Sequence, residues 1–251
     1  MWDRVRSSQY LRAGRVLCLA CLTIVALTPC FALPERAGAA AITAADREQP
    51  DTKRGFDLVS AMHDAASSAD DYSFEARIEA YGDGKAVRQG GRFFYKKPGL
   101  IRVEVTEGGF KRGSVLVVGV DGSVRARGGG LLKHVKLRLS RDSKLIRSAN
   151  GFSMLEVDFQ TLLTDLKALL ESGHRARVSK RPGTIDTHPG LVHVLTIEDP
   201  DLDAVTQKIL VDARTNLPVE WHLFRQGKPF SRTIWKNVKL QVGLKPDCFE
   251  F

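Results

Sequence analysis

The 251 residues carry 38 Lys plus Arg against 29 Asp plus Glu, a formal charge of +9, with 43% hydrophobic residues and four cysteines. That apolar content excludes a disordered chain, and 22 glycines with 10 prolines in no fixed pattern exclude a collagenous or Pro-rich one. The basic excess raises nucleic acid as a partner class until the charge is located along the chain.

The first segment holds Arg4, Arg6, Arg12 and Arg15 against Asp3, and Val16 to Leu33 carries no charge. Small residues then stand at A-x-A spacing, Ala37-Gly38-Ala39 or Ala39-Ala40-Ala41. A basic start, an apolar run and such a site are the layout of a secretory signal, so residues 1–39 are expected to be cleaved on export to the periplasm. Pro29 breaks the run and counts against a retained anchor, and Pro29-Cys30 and Cys18…Cys21 are poor lipoprotein sites. Removing residues 1–39 takes away five Arg and two acids, leaving 33 bases against 27 acids, net +6. Cys248 would then stand alone, which excludes an internal disulfide and a cysteine zinc site in the exported form.

Residues 40–53 are polar and aperiodic and read as a linker, followed by one domain over 54–251. Phe56, Val59, Met62 and Ala66 recur at helical steps. The period then changes to two: Tyr72, Phe74, Ala76, Ile78 and Ala80 alternate with polar residues, which predicts a half-buried strand. Gly82-Asp83-Gly84-Lys85 reads as a hairpin turn. Further strands are predicted at Arg92–Tyr95, Leu100–Thr106 and Ser114–Val120. Ser153 and Glu156 have capping-box spacing, and Gly173 is a natural stop. Between them Leu155, Phe159, Leu162, Leu163, Leu166, Leu169 and Leu170 fall on one helical face, giving a helix over 153–172. Strands resume at about 175–179, 191–198, 206–211, 217–224 and 231–240. Hairpin-linked strands with two helices predict an α+β fold: a curved antiparallel sheet with one face covered by helices.

Catalytic signatures are not legible. There is no Gly-x-Ser-x-Gly elbow, phosphate loop or His-Glu-x-x-His helix. Gly128-Gly129-Gly130 precedes no helical pattern. His188 and His193 flank a Pro-Gly turn without zinc spacing, and Asp199, Asp201 and Asp203 lack the glycine and terminal Glu of a calcium loop. Lys133, Lys136, Arg138, Arg141, Lys144 and Arg147 form a basic cluster with no interleaved aromatics. It reads as a solvated face, or as one attracted to an anionic membrane surface or an acidic envelope protein, and not as a nucleic-acid site. The Leu-rich helix either plugs the sheet as plain core or covers a cavity lined by Phe93 or Phe94, Tyr95, Trp221 and Trp235. Periodicity alone does not separate the two.

The stretch Gly90-Gly91-Arg92-Phe93-Phe94-Tyr95-Lys96-Lys97-Pro98-Gly99-Leu100-Ile101-Arg102-Val103-Glu104 resembles the LolA-type periplasmic lipoprotein carriers and their LolB and RseB relatives. In that superfamily a glycine-flanked strand leads through a basic-Pro-Asn/Gly turn into an aliphatic-aromatic-Arg strand. Tyr72–Ala76 after an amphipathic helix, Val211-Asp212 through Leu217-Pro218-Val219, and Trp235–Val238 with the closing Asp247-Cys248-Phe249 are similar too. The resemblance implies an unclosed β-barrel with helices at its mouth and an apolar cavity for a lipid or lipoprotein acyl chain. It implies no enzyme activity and no cofactor, and gives Arg102 a role in holding the helical lid. The implied ligand-binding set is Phe94, Tyr95, Arg102, Leu155, Phe159, Leu162, Leu163, Leu166, Trp221 and Trp235. Two features depart from the pattern: Ile101 stands where a carrier has an aromatic, and the basic insertion has no counterpart. An RseB-like sensor or protein-interaction domain is the alternative.

Overall fold

The computed structural model describes residues 44–82 and 86–251. The expected signal over 1–39 and the turn at Asp83–Lys85 lie outside the described residues. No helix among those described is long and apolar enough to cross a membrane.

In chain order the elements are α1 (Ala44–Ser67), β1 (Asp71–Ala80), β2 (Val87–Lys96), β3 (Leu100–Glu107), β4 (Val115–Val118), β5 (Val124–Arg127) and β6 (Lys136–Leu139). The second half holds α2 (Phe159–Glu171), β7 (Arg175–Val178), β8 (Gly183–Ile185), β9 (His188–Asp199), β10 (Ala204–Asp212), β11 (Pro218–Arg225) and β12 (Lys228–Leu240). All strand pairs are antiparallel. The sheet runs β6-β5-β4-β3-β2-β1-β12-β11-β10-β9-β7, with β8 paired to β9. Each half is a meander, and the pairing of β1 with β12 joins them. β6 and β7 stay apart at the two ends, so the sheet does not close.

Alternation assigns the faces. Tyr72 and Phe74 on β1, Phe93 and Tyr95 on β2, and Ile101, Val103 and Val105 on β3 point inward. So do Leu195 and Ile197 on β9, Ile209 on β10, Trp221 on β11 and Trp235 on β12. They meet Val59, Met62 and Ala66 of α1 and Phe159, Leu163, Leu166 and Leu170 of α2 in one buried cluster. α1 approaches β7 closely enough that a Cβ on Gly55 would lie 2.3 Å from the Ala176 Cβ.

Three local expectations are corrected. α1 begins at Ala44 and not at Phe56, inside the stretch read as linker; its first turns show no apolar period for a sequence reading to catch. α2 begins at Phe159, because Asp158, not Ser153, is its N-cap: the Asp158 carboxylate accepts the Thr161 N–H at 2.9 Å. Ser153 instead accepts the Leu155 N–H in a turn ahead of the helix. Gly173, with φ of +105°, ends α2 as its sequence position predicts. The basic stretch, for which no strand was expected, contains the short strand β6, preceded by β5.

Candidate functional site

The densest chemistry on the inner face is a continuous aromatic surface. β1 and β2 are in register, so Tyr72 lies opposite Tyr95 and Phe74 opposite Phe93, with ring centroids 4.8 and 4.7 Å apart. Phe159 at the start of α2 reaches down to Phe74 at 5.0 Å, Tyr72 at 5.4 Å and Trp235 at 5.8 Å. Trp235 meets Trp221 edge-on at 6.1 Å, and the Trp221 indole N–H donates to Gln207 at 2.8 Å.

Two phenols hold the helix start. The Phe159 N–H, which has no partner within the helix, donates to the Tyr72 hydroxyl at 3.1 Å. The Tyr95 hydroxyl donates to the Gln160 side-chain oxygen at 3.1 Å. Burial raises both phenols above the ordinary tyrosine value, and the Asp158 charge adds to it. Burial also raises the Asp158 carboxyl, against the opposing hydrogen bonds from Thr161. This acid at the helix entrance is therefore held toward its neutral form.

Of the residues expected to line the site, Tyr95, Leu155, Phe159, Leu163, Leu166, Trp221 and Trp235 meet in this cluster, and Leu162 packs at its margin. Leu155 does so from the turn preceding α2. Phe94 and Arg102 do not take part. Phe94 shares the outer face of β2 with Arg92 and Lys96, and it packs in a satellite cluster with Val115, Val117 and Phe249. The charged neighbours two positions away on either side were the signal for that face. Arg102 is opposite Phe94 on the outer face, where its guanidinium donates to Glu104 at 2.7 Å and to the carbonyls of Cys248 at 3.1 Å and Glu250 at 2.9 Å. It anchors the C-terminal segment and makes no contact with α2, which covers the opposite face. Tyr72, Phe74 and Asp158 were not among the expected site residues. The period-two alternation of β1 already placed both aromatics on the inner face, but Asp158 carries no sequence signal beyond its N-cap potential.

The inner face is filled. Tyr72, Phe159 and Leu163 are fully buried. Two clefts of about 420 and 370 Å³ lie on the outer face and are lined by residues such as Arg92, Arg102, Arg112 and Glu107. Their walls do not suit an acyl chain.

Other candidate groups resolve as structural pairs. His188 Nε2 lies 2.6 Å from Asp212, whose other oxygen accepts the N–H groups of Arg214 and Thr215 and so ties the β10–β11 turn. Glu220 receives Arg232 at 2.8 and 3.0 Å, Thr187 at 2.8 Å and His222 at 2.5 Å on the outer face. Asp199 accepts the N–H groups of Asp201 and Leu202, closing the β9–β10 hairpin. Among the described residues no group of three His, Cys, Asp or Glu side chains is placed to hold a metal ion.

MucB superposes with a TM-score of 0.50 at 14% identity, covering 79% of this chain and 63% of MucB, so the chain spans under two thirds of MucB's length. The fold is similar to that of MucB. A LolA superfamily protein from Nitrosomonas europaea matches over 80% of this chain and 98% of its own, at 12% identity and a TM-score of 0.37. MucB from Pseudomonas aeruginosa in its complex with MucA matches at 13% identity and a TM-score of 0.42, covering 79% of this chain and 61% of that one. No protein-family model matches the sequence, and neither does any curated protein sequence.

Proposed function

We propose that this is an exported, non-enzymatic protein of the cell envelope that binds a lipid or lipoprotein acyl chain between α2 and the inner face of the sheet, in lipid or lipoprotein trafficking. The observation that carries the reading is the aromatic surface beneath α2, latched at the helix start by the Tyr72 and Tyr95 hydroxyls. Lifting α2 would uncover Tyr72, Phe74, Phe93, Trp221 and Trp235, a surface suited to methylene chains. Binding would gain about 25 cal/mol for each Å² of apolar area withdrawn from water. Native mass spectrometry of the protein recovered from the periplasm, with titration of a fluorescent fatty-acyl probe, tests it. Co-purifying lipid, or saturable probe binding, is the expected result. Neither one appearing sinks the acyl-chain reading.

A second reading, a sensor or partner-binding domain on the same fold, is favoured by one observation: the space under α2 is occupied by the protein's own side chains. On that reading the inner face is plain core and recognition uses the outside. Failure of the acyl probe, with the protein folded, would leave this alternative standing.

A further inference from the structure

Strand β6 and its flanks form a free edge of unusual composition. From Leu131 to Leu145 five apolar side chains are exposed: Leu131 fully, Leu132 at 60%, Leu145 at 51%, Leu137 at 45% and Val135 at 42%. The same fifteen residues carry Lys133, Lys136, Arg138, Arg141 and Lys144 against one acid, Asp142. None of those five cations pairs with an acidic side chain among the described residues, and Lys136 donates to the Phe251 main-chain oxygen at 2.7 Å.

The pairing of β5 with β6 concentrates the charge further. Arg125 stands directly opposite Arg138, and Arg127 directly opposite Lys136, a like-charge arrangement that destabilises a sheet unless an anion offsets it. The Arg125 Nε is buried without a hydrogen-bond partner. Arg125, Arg127 and Lys136 crowd the Phe251 ring at 5.8, 5.5 and 5.7 Å, a contact that leaves their net charge in place. The apolar tip is held in position. A Cβ on Gly129 would sit 1.9 Å from the Arg112 carbonyl oxygen, so the β5–β6 turn packs directly on the β3–β4 connection.

Charges on an edge strand discourage pairing with another chain, which accounts for Lys136 and Arg138 but not for a fully exposed leucine at the tip. Aliphatic side chains amid cations suit the boundary between headgroups and acyl chains; base stacking would call for aromatics. We propose that the edge 131–145 docks on an anionic phospholipid membrane, with Leu131 and Leu132 entering the headgroup boundary and the surrounding cations meeting lipid phosphates. This surface lies at the free edge of the sheet and does not depend on the acyl-chain reading.

Co-sedimentation with vesicles of mixed phosphatidylglycerol and phosphatidylcholine, against phosphatidylcholine alone, tests it. The protein is taken as recovered from cells with its intact mass recorded, so any contribution of residues 16–33 is common to wild type and variants. Preference for the anionic vesicles is expected, weakening with salt. Lys133→Gln and Arg138→Gln should each lower that affinity about fivefold, and Leu131→Glu with Leu132→Glu about tenfold or more. Both leucines are exposed, so unchanged thermal unfolding verifies that the double variant folds, and acyl-probe binding should be unaltered. Equal binding to both vesicle types, or full binding by the leucine variant, overturns the proposal. So does binding of inorganic phosphate or RNA without binding to vesicles.

Discussion

The Tyr72 hydroxyl accepts the backbone N–H of Phe159 at 3.1 Å, joining the central strand of the sheet to the first residue of α2. Tyr72 is fully buried and its ring lies 5.4 Å from that of Phe159. One side chain therefore packs against the helix start and also satisfies a donor that the helix leaves open. Tyr72→Phe keeps the ring and deletes the acceptor, stranding a buried N–H. A loss of about 1–3 kcal/mol is expected in urea unfolding. If α2 moves to admit an acyl chain, the same variant binds a fluorescent acyl probe faster than wild type. A stability equal to wild type would mean that the N–H finds another partner.

Asp158 turns this helix start into a pH-dependent element. Burial raises its carboxyl above the ordinary value, so the folded protein holds the proton more tightly than the unfolded chain. The stabilisation from this group is complete below the unfolded value, near 3.8, and is lost as pH rises through the raised folded value. Asp158→Asn retains an N-cap oxygen for the Thr161 N–H and removes the cost of a buried charge. It should raise the thermal midpoint at neutral pH and leave it nearly unchanged at acid pH. A uniform drop at every pH would mean that the charge itself is needed to cap α2.

Much of the sheet was legible because its strands keep one face apolar and the other charged. Tyr72 through Ala80 and Ile101 through Val105 show that alternation plainly, and both form strands with the apolar face turned inward. The short strands β5, β6 and β8 carry no such contrast: β6 is exposed on nearly every residue, so no buried face imprinted a period on Lys136–Leu139. The helix start was misread because two residues, Ser153 and Asp158, could each cap a helix. Which one does so depends on Tyr72 waiting on the sheet for the Phe159 N–H, a contact 87 residues distant. The position of Arg102 at the C-terminal segment was hidden for a related reason. Its strand face was readable, but the C-terminal segment that crosses that face is a tertiary feature.

Arg102 accordingly belongs to a clasp on the outer face. The Asp71 carboxylate accepts the N–H groups of Gly243 and Leu244 at 3.1 and 2.8 Å, and Arg102 binds the carbonyls of Cys248 and Glu250 further along. Between them Phe249 is buried against Val115 and Val117. Arg102→Leu should release this segment: faster amide exchange over residues 244–251 and a stability loss of about 1–3 kcal/mol are expected. Acyl-probe affinity should stay at the wild-type level, because the side chain is on the face away from α2. A changed affinity with intact protection of 244–251 would restore a lid role for Arg102.

The acid limb of stability should be governed by Glu220. Burial alone would push this carboxyl up, yet the hydrogen bonds from His222, Arg232 and Thr187, with the charge of Arg232, outweigh it and leave it at about 2. A depressed folded value means that the unfolded chain takes up the proton first. The stabilisation is present above the unfolded value, near 4.5, and disappears as pH falls toward 2. The shift corresponds to a contribution on the order of 3 kcal/mol. Glu220→Gln keeps the shape and an acceptor for Arg232 but has no proton to gain. Urea midpoints measured from pH 6 down to pH 2 should fall more gently for this variant than for wild type, the two curves converging at the acid end. Arg232 retains Glu79 at 4.0 Å, so the variant should still fold at neutral pH. Parallel curves across that range would show that the acid sensitivity arises elsewhere and that the Glu220 network is stabilising only through its packing.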